Sequence, residues 1–127
     1  RGILWRLRDP DTLFARRQLA KDQLTVEMTL ALSQQGEPRG ISDLLFDRRG
    51  DLFLLSTIPN AKAKDQRGML FKVARDHGKW AEPVVLRRFD SLKPEGICET
   101  SDQEIIVVFD ADREKAGFVV TAKDGGQ

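Results

Sequence analysis

The sequence predicts an all-β protein built from antiparallel strands, and three observations support this prediction. A Pro-x-Gly-Ile motif occurs twice, at Pro38 and at Pro94, and an apolar run follows it each time. A glycine-led apolar segment occurs three times, at Gly2, Gly68 and Gly117, and each copy ends with a basic residue followed by Asp. Within these segments apolar positions alternate along the chain, and a period of two is typical of strands.

The glycine-led segments end in residues that favour turns, and these bound the predicted strands. The turn residues are Asp9-Pro10 after the first copy, His77-Gly78 after the second and Gly125-Gly126 after the third. In the second copy Met69, Phe71 and Val73 alternate with Leu70 and Lys72, so the two sets point to opposite faces. Each copy is therefore predicted to form one strand that ends at a turn.

Each Pro-x-Gly-Ile motif begins a predicted pair of strands. The first copy continues as GISDLLFD, then turn residues 47–50, then DLFLLST, which predicts a hairpin in which Gly50 adopts a positive φ. The second copy continues as GICET, SDQ and EIIVVFD. Its run IIVVF is apolar at every position, so we expect a strand that is covered on both faces.

Two further segments are predicted to be outer strands. WAEPVVLRRF follows the second glycine-led segment, and DQLTVEMTLALS follows the first. In the latter, alternation places five apolar residues on one face: Leu24, Val26, Met28, Leu30 and Leu32. Residues 11–21 fit a strand or a short helix equally well, and the sequence leaves both open.

The order of these motifs predicts a single domain, residues 1–127, that holds antiparallel four-stranded meanders and about two blades of a β-propeller. With the strands of one unit named a to d, residues 1–33 supply c and d, residues 38–90 supply a to d, and residues 94–122 supply a to c. A four-stranded meander repeated at about 50–55 residues is typical of propeller blades. A plain β-sandwich or meander is the alternative.

The number of predicted blades raises the question of ring closure. Propellers typically contain about four to eight blades, whereas this chain holds little more than two and starts at Arg1 instead of Met. We therefore expect the remainder of a longer chain or a homo-oligomer to complete the ring. An open arrangement would leave strand edges that pair with another chain.

Composition and charge exclude several classes of partner. Lys and Arg number 21 and Asp and Glu number 20, so there is no general attraction to nucleic acid or to an anionic membrane. Three Arg-Arg pairs are scattered and lie near acidic residues, which predicts a solvated surface and not a phosphate-binding stripe. No apolar run approaches the roughly 18 residues of a membrane span.

Cysteine and histidine each occur once, as Cys98 and His77. No disulfide can form within the chain, and a zinc site of Cys and His ligands within one chain is excluded. A Ser-His-Asp triad would depend wholly on His77, and no nucleophile-elbow motif accompanies it. We expect Cys98 to be a small buried residue and His77 to lie at the surface.

The stretches RGISDLLFDRRGDLFLLS, GMLFKV, LRRFDSLKPEGICET and IIVVFDAD resemble a group of bacterial β-propeller families. These are the SdiA-regulated, phytase-like esterase and related uncharacterised propeller domains, and the resemblance covers residues 38–122. It implies a propeller of about six blades and favours a periplasmic or extracellular location. It also implies calcium binding or action on phosphoesters in some members, whereas much of the group has no assigned chemistry.

Three acidic residues of the second Pro-x-Gly-Ile unit are expected at one edge of its sheet, because the turns entering strand a and leaving strand b meet there. Glu95 begins strand a, and Asp110 and Asp112 end strand b. Carboxylate oxygens are ligands that Ca²⁺ prefers, which makes these residues a candidate metal site. In the alternative, Glu95 hydrogen-bonds backbone amides or pairs with Lys93 or Arg113, and Asp110 caps a turn.

The same edge of the first unit is expected to differ, because the motif alignment places Arg39 at the position of Glu95. The planar guanidinium of Arg39 suits an anionic ligand such as phosphate or carboxylate, although pairing at the surface is the alternative. Asp43 lies just inside the strand start, and Asn60 lies in the polar loop after Ser56. The candidate ligand-binding set is therefore Arg39, Asp43, Ser56 and Asn60.

Three functional hypotheses follow from these observations. The first is a propeller domain with a binding or scaffolding role. The second is a metal-assisted, calcium-type hydrolase of phosphoesters or esters, in which the carboxylates hold the cation and Arg39 holds the anion. The third is a protein-association module that uses exposed sheet edges.

Overall fold

The computed structural model describes residues 2–32, 39–58, 67–110 and 117–123, and it confirms the all-β prediction. The chain forms two compact units, Arg1–Ala31 and Leu32–Gln127. Within the larger sheets each strand pairs antiparallel with the next long strand along the chain. The connections are therefore those of meanders, as the motif order predicts.

The N-terminal unit is a two-stranded antiparallel sheet with a helix between its strands. Its elements are β1 (Gly2–Leu7), α1 (Pro10–Arg16), a 3₁₀ turn (Lys21–Gln23) and β2 (Leu24–Leu30). Of the two alternatives for residues 11–21, the structure has a helix in the first part. Pro10 occupies the first turn, where its missing N–H is tolerated, and the Asp9 carboxylate accepts a hydrogen bond from the Thr12 amide at 3.3 Å. Among the described residues, no helix is long and apolar enough for a membrane span.

A bulge in β2 divides the apolar face that alternation predicts. Leu4 pairs with Met28. The next residue, Trp5, pairs with Val26, so Glu27 is the additional residue. Because consecutive residues of β1 point to opposite faces, Val26 and Met28 also lie on opposite faces. The prediction of one continuous apolar face on this strand was therefore wrong, since an inserted residue leaves no mark in the alternation.

The second unit contains a four-stranded sheet, a three-stranded sheet and a small hairpin. The four-stranded sheet has the order β3 (Gly40–Phe46), β4 (Leu52–Thr57), β5 (Arg67–Val73) and β8 (Val84–Asp90). The hairpin is β6 (Arg75–Asp76) with β7 (Lys79–Trp80). The three-stranded sheet is β9 (Lys93–Glu99), β10 (Ile105–Asp110) and β11 (Gly117–Thr121). These sets match the predicted strands a to d and a to c.

The β3–β4 and β9–β10 turns share hydrogen bonds although their sequences differ. In the first turn the Gly50 amide donates to the Asp47 carbonyl at 2.9 Å, and in the second the Gln103 amide donates to the Thr100 carbonyl at 3.1 Å. Gly50 has a φ of 84°, so the predicted positive φ is confirmed. Gln103 takes the equivalent position, 53 residues later, with a φ of 63°.

The β6–β7 hairpin confirms the turn predicted at His77-Gly78. Both residues have positive φ, 45° and 80°. The His77 side chain is 94% exposed, as expected of a surface residue. Its Nε2 lies 3.5 Å from Asp76 Oδ1.

A β-bulge also recurs at an interval of 53 residues. The pairing between β3 and β4 skips Ser42, and the pairing between β9 and β10 skips Glu95. The structural repeat is therefore 53 residues, whereas the two Pro-x-Gly-Ile motifs lie 56 residues apart. This result corrects the motif alignment, because Ser42, and not Arg39, takes the position of Glu95.

The two sheets of the second unit pack face to face through one apolar cluster. Its members are Phe53, Leu55, Leu70, Phe89, Ile105, Val107 and Phe109. The rings of Phe89 and Phe109 meet edge to face, with centroids 5.0 Å apart. Burial of each such side chain contributes about 1.5–3 kcal/mol, so this cluster forms the core of the unit.

The two sheets differ in how many of their faces are covered. Residues 52–56 of β4 are all buried, so both faces of that strand are covered. In β10 alternate residues are buried, but Val108 on the other face is 43% exposed. The prediction that IIVVF is covered on both faces was therefore wrong. The prediction of a buried Cys98 was wrong for the same reason, since Cys98 is exposed on that face of the sheet.

The packing around Gly68 explains why a glycine begins the apolar segment of β5. A Cβ at this position would lie 2.3 Å from Cδ and 2.7 Å from Cγ of Pro94, and 3.1 Å from the carbonyl oxygen of Leu92. Pro94, at the start of β9, is itself fully buried. The glycine of one motif thus accommodates the proline of the other motif in the next sheet.

A buried ion cluster joins the sheets at their other end. The Lys123 ammonium lies 3.3 Å from Asp47 Oδ2 and forms an ion pair with Glu99, and the three side chains are 11%, 1% and 10% exposed. Burial lowers the pKa of Lys123, but hydrogen bonds to Glu99 and Asp47 outweigh it and raise the pKa above its ordinary value. Because Asp47 directly follows β3 and Glu99 ends β9, the lysine connects the two sheets.

We predict that Gly68→Ala lowers the free energy of unfolding by about 1–3 kcal/mol, because the added methyl group overlaps the Pro94 ring. Urea denaturation followed by circular dichroism measures this change. Gly117→Ala is the matched control, since no described atom lies within 4 Å of a Cβ placed there. Equal losses in both variants would contradict the role assigned to the Gly68–Pro94 contact.

We predict that Lys123→Met lowers the free energy of unfolding by about 3 kcal/mol at pH 7, because two carboxylates are left buried without their cation. Chemical denaturation measures the loss, and Lys79→Met, at an exposed position of β7, should be close to neutral.

The pH profile of Lys123→Met provides a second test of the ion cluster. A raised pKa in the folded state means that the lysine stabilises the fold fully below the unfolded pKa of about 10.4. That stabilisation is lost as the pH rises through the folded pKa. The difference between wild type and Lys123→Met should therefore be constant near neutrality and shrink in strong alkali; a constant difference throughout would refute the pairing.

Candidate functional site

One edge of the second unit brings together most of the predicted site residues. The starts of β3, β5 and β9 and the ends of β4, β8 and β10 lie at this edge, which we call the rim. The described candidates at the rim are Arg39, Asp43, Ser56, Glu95 and Asp110. Asn60 and Asp112 fall outside the described residues.

Glu95 and Asp110 share one lysine at the rim. Lys93 lies directly opposite Asp110 in the β9–β10 ladder, with its Nζ 3.4 Å from Asp110 Oδ2, and it also forms an ion pair with Glu95. Hydrogen bonds to Glu95 and then to Asp110 raise the pKa of Lys93. This arrangement is the alternative in which Glu95 pairs with Lys93, and it places an ammonium group at both carboxylates.

The predicted metal site is only partly within the described residues. In residues 2–32, 39–58, 67–110 and 117–123, no three acidic, histidine or cysteine side chains are grouped so that they could hold a metal ion. Because Asp112 lies outside these ranges, the three-carboxylate calcium site stays a prediction. What the geometry adds is a competing cation, the Lys93 ammonium, that a metal ion would have to displace.

The Arg39 side chain forms a hydrogen bond within the first sheet. Its Nη1 donates a hydrogen bond to the carbonyl oxygen of Arg67 at 2.9 Å. Arg67 begins β5, so the guanidinium spans from the start of β3 past the end of β4 to the start of β5. This contact holds the planar group at the rim by means of a backbone acceptor.

Asp43 joins the two sheets. Its Oδ2 accepts a hydrogen bond from the Ile97 amide at 2.9 Å, and its Oδ1 accepts one from the Leu44 amide at 2.8 Å. Ile97 belongs to β9, and Asp43 directly follows the bulged residue Ser42. The Asp43 carboxylate therefore links the two sheets, whose first strands β3 and β9 lie side by side.

Two serine hydroxyl groups near the rim are buried. Among the described residues, the Oγ atoms of Ser42 and Ser56 have no hydrogen-bond partner. Ser56 is 0% exposed, which makes it inaccessible to a ligand from outside. Ser42 was missed by the sequence analysis, because only the structural register shows that it takes the position of Glu95.

Each unit also contains a cavity among its described residues, and the sequence predicted neither of them. An open groove of about 620 Å³ in the N-terminal unit is lined by Arg8, Asp9, Thr12, Arg16, Gln18, Ala20, Asp22 and Gln23. A cavity of about 290 Å³ in the second unit includes Lys72 and Lys123 in its lining. Both lysines pair with carboxylates, Lys72 with Asp51 at 3.1 Å. Both lysines of the smaller cavity are thus paired within the protein.

Comparisons of this chain with models of protein families, with curated proteins and with solved structures find no match. The resemblance to bacterial propeller families therefore stays a prediction that rests on the motifs quoted above.

We predict that Ser56→Ala raises the free energy of unfolding by about 1 kcal/mol, because a buried hydroxyl without a partner is replaced by an apolar group. Thermal and urea denaturation measure the gain. Thr57→Ala, at the next and less buried position, is the control and should not stabilise the protein. A loss of stability in Ser56→Ala would mean that the hydroxyl has a partner.

Proposed function

We propose that this chain forms consecutive blades of a β-propeller and serves as a binding scaffold and not as an enzyme. One observation supports the proposal above all others. The two sheets of the second unit repeat at 53 residues with the same turn and the same bulge, and they pack face to face. Their first strands, β3 and β9, are adjacent, as the first strands of neighbouring blades are in propellers.

The N-terminal unit supports the same proposal. In β1 and β2 the register changes between Leu4 and Trp5, and in β5 and β8 it changes between Leu70 and Phe71. Both changes occur at the same distance from the leading glycine, Gly2 in one case and Gly68 in the other. This likeness favours the assignment of β1 and β2 as strands c and d of a further blade.

The chemistry of the rim favours binding over hydrolysis. Asp43 is hydrogen-bonded to the backbone of β9, and Arg39 is hydrogen-bonded to the backbone of β5. Glu95 and Asp110 share the Lys93 ammonium. Of the groups that a calcium-type hydrolase of the predicted kind would use, Arg39, Glu95 and Asp110 are therefore engaged in contacts within the protein, and Asp112 lies outside the described residues.

We predict that millimolar CaCl₂ leaves the melting temperature of the wild type unchanged, because the Lys93 ammonium already pairs with both Glu95 and Asp110. Lys93→Gln releases Glu95 and Asp110 and should gain a calcium-dependent rise in melting temperature, since a ligand that binds only the folded state stabilises it. Thermal denaturation with and without CaCl₂ measures both, and Lys79→Gln is the matched control.

Hydrolysis of p-nitrophenyl phosphate and p-nitrophenyl acetate completes this test. We expect no turnover by the wild type with or without CaCl₂. A calcium-dependent rise in melting temperature together with turnover in the wild type would overturn the scaffold proposal and favour the hydrolase.

A further inference from the structure

One face of the three-stranded sheet is apolar and exposed. Its members, which the register places side by side, are Cys98, Ile106, Val108, Phe118 and Val120. Phe118 is 67% exposed, Val108 43% and Val120 41%. We call this surface the open face. A contiguous apolar surface of this kind typically marks a site of protein interaction.

The repeat shows what kind of surface covers the open face. The equivalent residues of the first sheet are Leu45, Phe53, Leu55 and Leu70, which correspond to Cys98, Ile106, Val108 and Phe118 in the 53-residue repeat and its register. These residues of the first sheet pack against the second sheet. The open face is therefore equivalent to a face that the next sheet covers.

The N-terminal unit has an exposed apolar face that is equivalent to the face with which the second sheet covers the first. It consists of Ile3, Trp5, Leu24 and Val26, which are 51%, 51%, 36% and 52% exposed. The shared register change makes Trp5 equivalent to Phe71. In the 53-residue repeat Val119 is equivalent to Phe71 as well, so Trp5 and Val119 take the same place in their sheets. Val119 belongs to the face with which the second sheet covers the first. We call this surface the N-terminal face.

We propose that a second copy of this chain docks on the open face through its N-terminal face. The inference rests on the proposed stacking of blades and extends it from contacts within one chain to contacts between chains. The two surfaces differ, so the contact is head to tail, and successive copies close into a ring or extend as a series. Both surfaces are apolar, and their burial drives the association.

Sedimentation velocity across a range of protein concentrations tests this proposal. The wild type is expected to associate as its concentration rises. Phe118→Glu on the open face and Trp5→Glu on the N-terminal face should each abolish large assemblies. Both positions are exposed, so circular dichroism should show the wild-type fold. Val84→Glu, at a 60% exposed position of β8, is the control and should associate like the wild type.

A mixture of the two variants distinguishes a head-to-tail contact from a symmetric one. Phe118→Glu keeps an intact N-terminal face, and Trp5→Glu keeps an intact open face. Together they should form a 1:1 complex and nothing larger, although neither associates alone. Absence of that complex would overturn the head-to-tail arrangement.

Alkylation of Cys98 provides a second measurement on the unaltered protein, because this only cysteine lies on the open face. The rate of reaction with a maleimide should fall as the wild type associates and should stay constant for Phe118→Glu. A wild type that remains monomeric and equally reactive at all concentrations would overturn the proposal. The calcium test depends on Lys93 at the rim and reports independently, so the two proposals can fail separately.

Discussion

The close approach of Gly68 and Pro94 is the constraint on which the rest of the second unit depends. The proline ring occupies the space that a side chain at residue 68 would need, so this relative position of the two sheets requires a glycine at residue 68. That position brings Phe89 against Phe109 and brings Asp43 to the backbone of β9. The two recurring sequence motifs are therefore the two halves of one packing contact between neighbouring sheets.

The features that the sequence predicted are those with a local physical cause. Strands follow from alternation, and the β3–β4 turn follows from Gly50, which adopts a positive φ without steric cost. The bulges at Ser42 and Glu95 were not predicted, because an extra residue in a strand changes the register without changing the composition. The exposure of Val108 was not predicted either, since burial depends on what packs against a strand. At the rim, the pairing of Glu95 with Lys93 was one of two alternatives that the sequence left open.

Two lysines illustrate how burial decides the importance of similar ion clusters. Lys93 contacts two carboxylates at the rim, where all three side chains are partly exposed and solvent weakens their attraction. Lys123 also contacts two carboxylates, but these are almost fully buried at the opposite end of the sheets. There the charges have no solvent to replace a lost partner, so the cluster fixes the position of the sheets. The rim can thus vary in charge while the other end cannot.

At the bulge shared by the two sheets, the side chain differs between the repeats while the pairing of the strands stays the same. A bulged residue takes no part in the ladder of backbone hydrogen bonds, so its side chain can change without altering how the strands pair. The repeat already uses this freedom, with a hydroxyl at Ser42 and a carboxylate at Glu95. A succession of such sheets would place one residue that is free to vary at the same point of every first strand, with its polar group buried as at Ser42 or exposed as at Glu95.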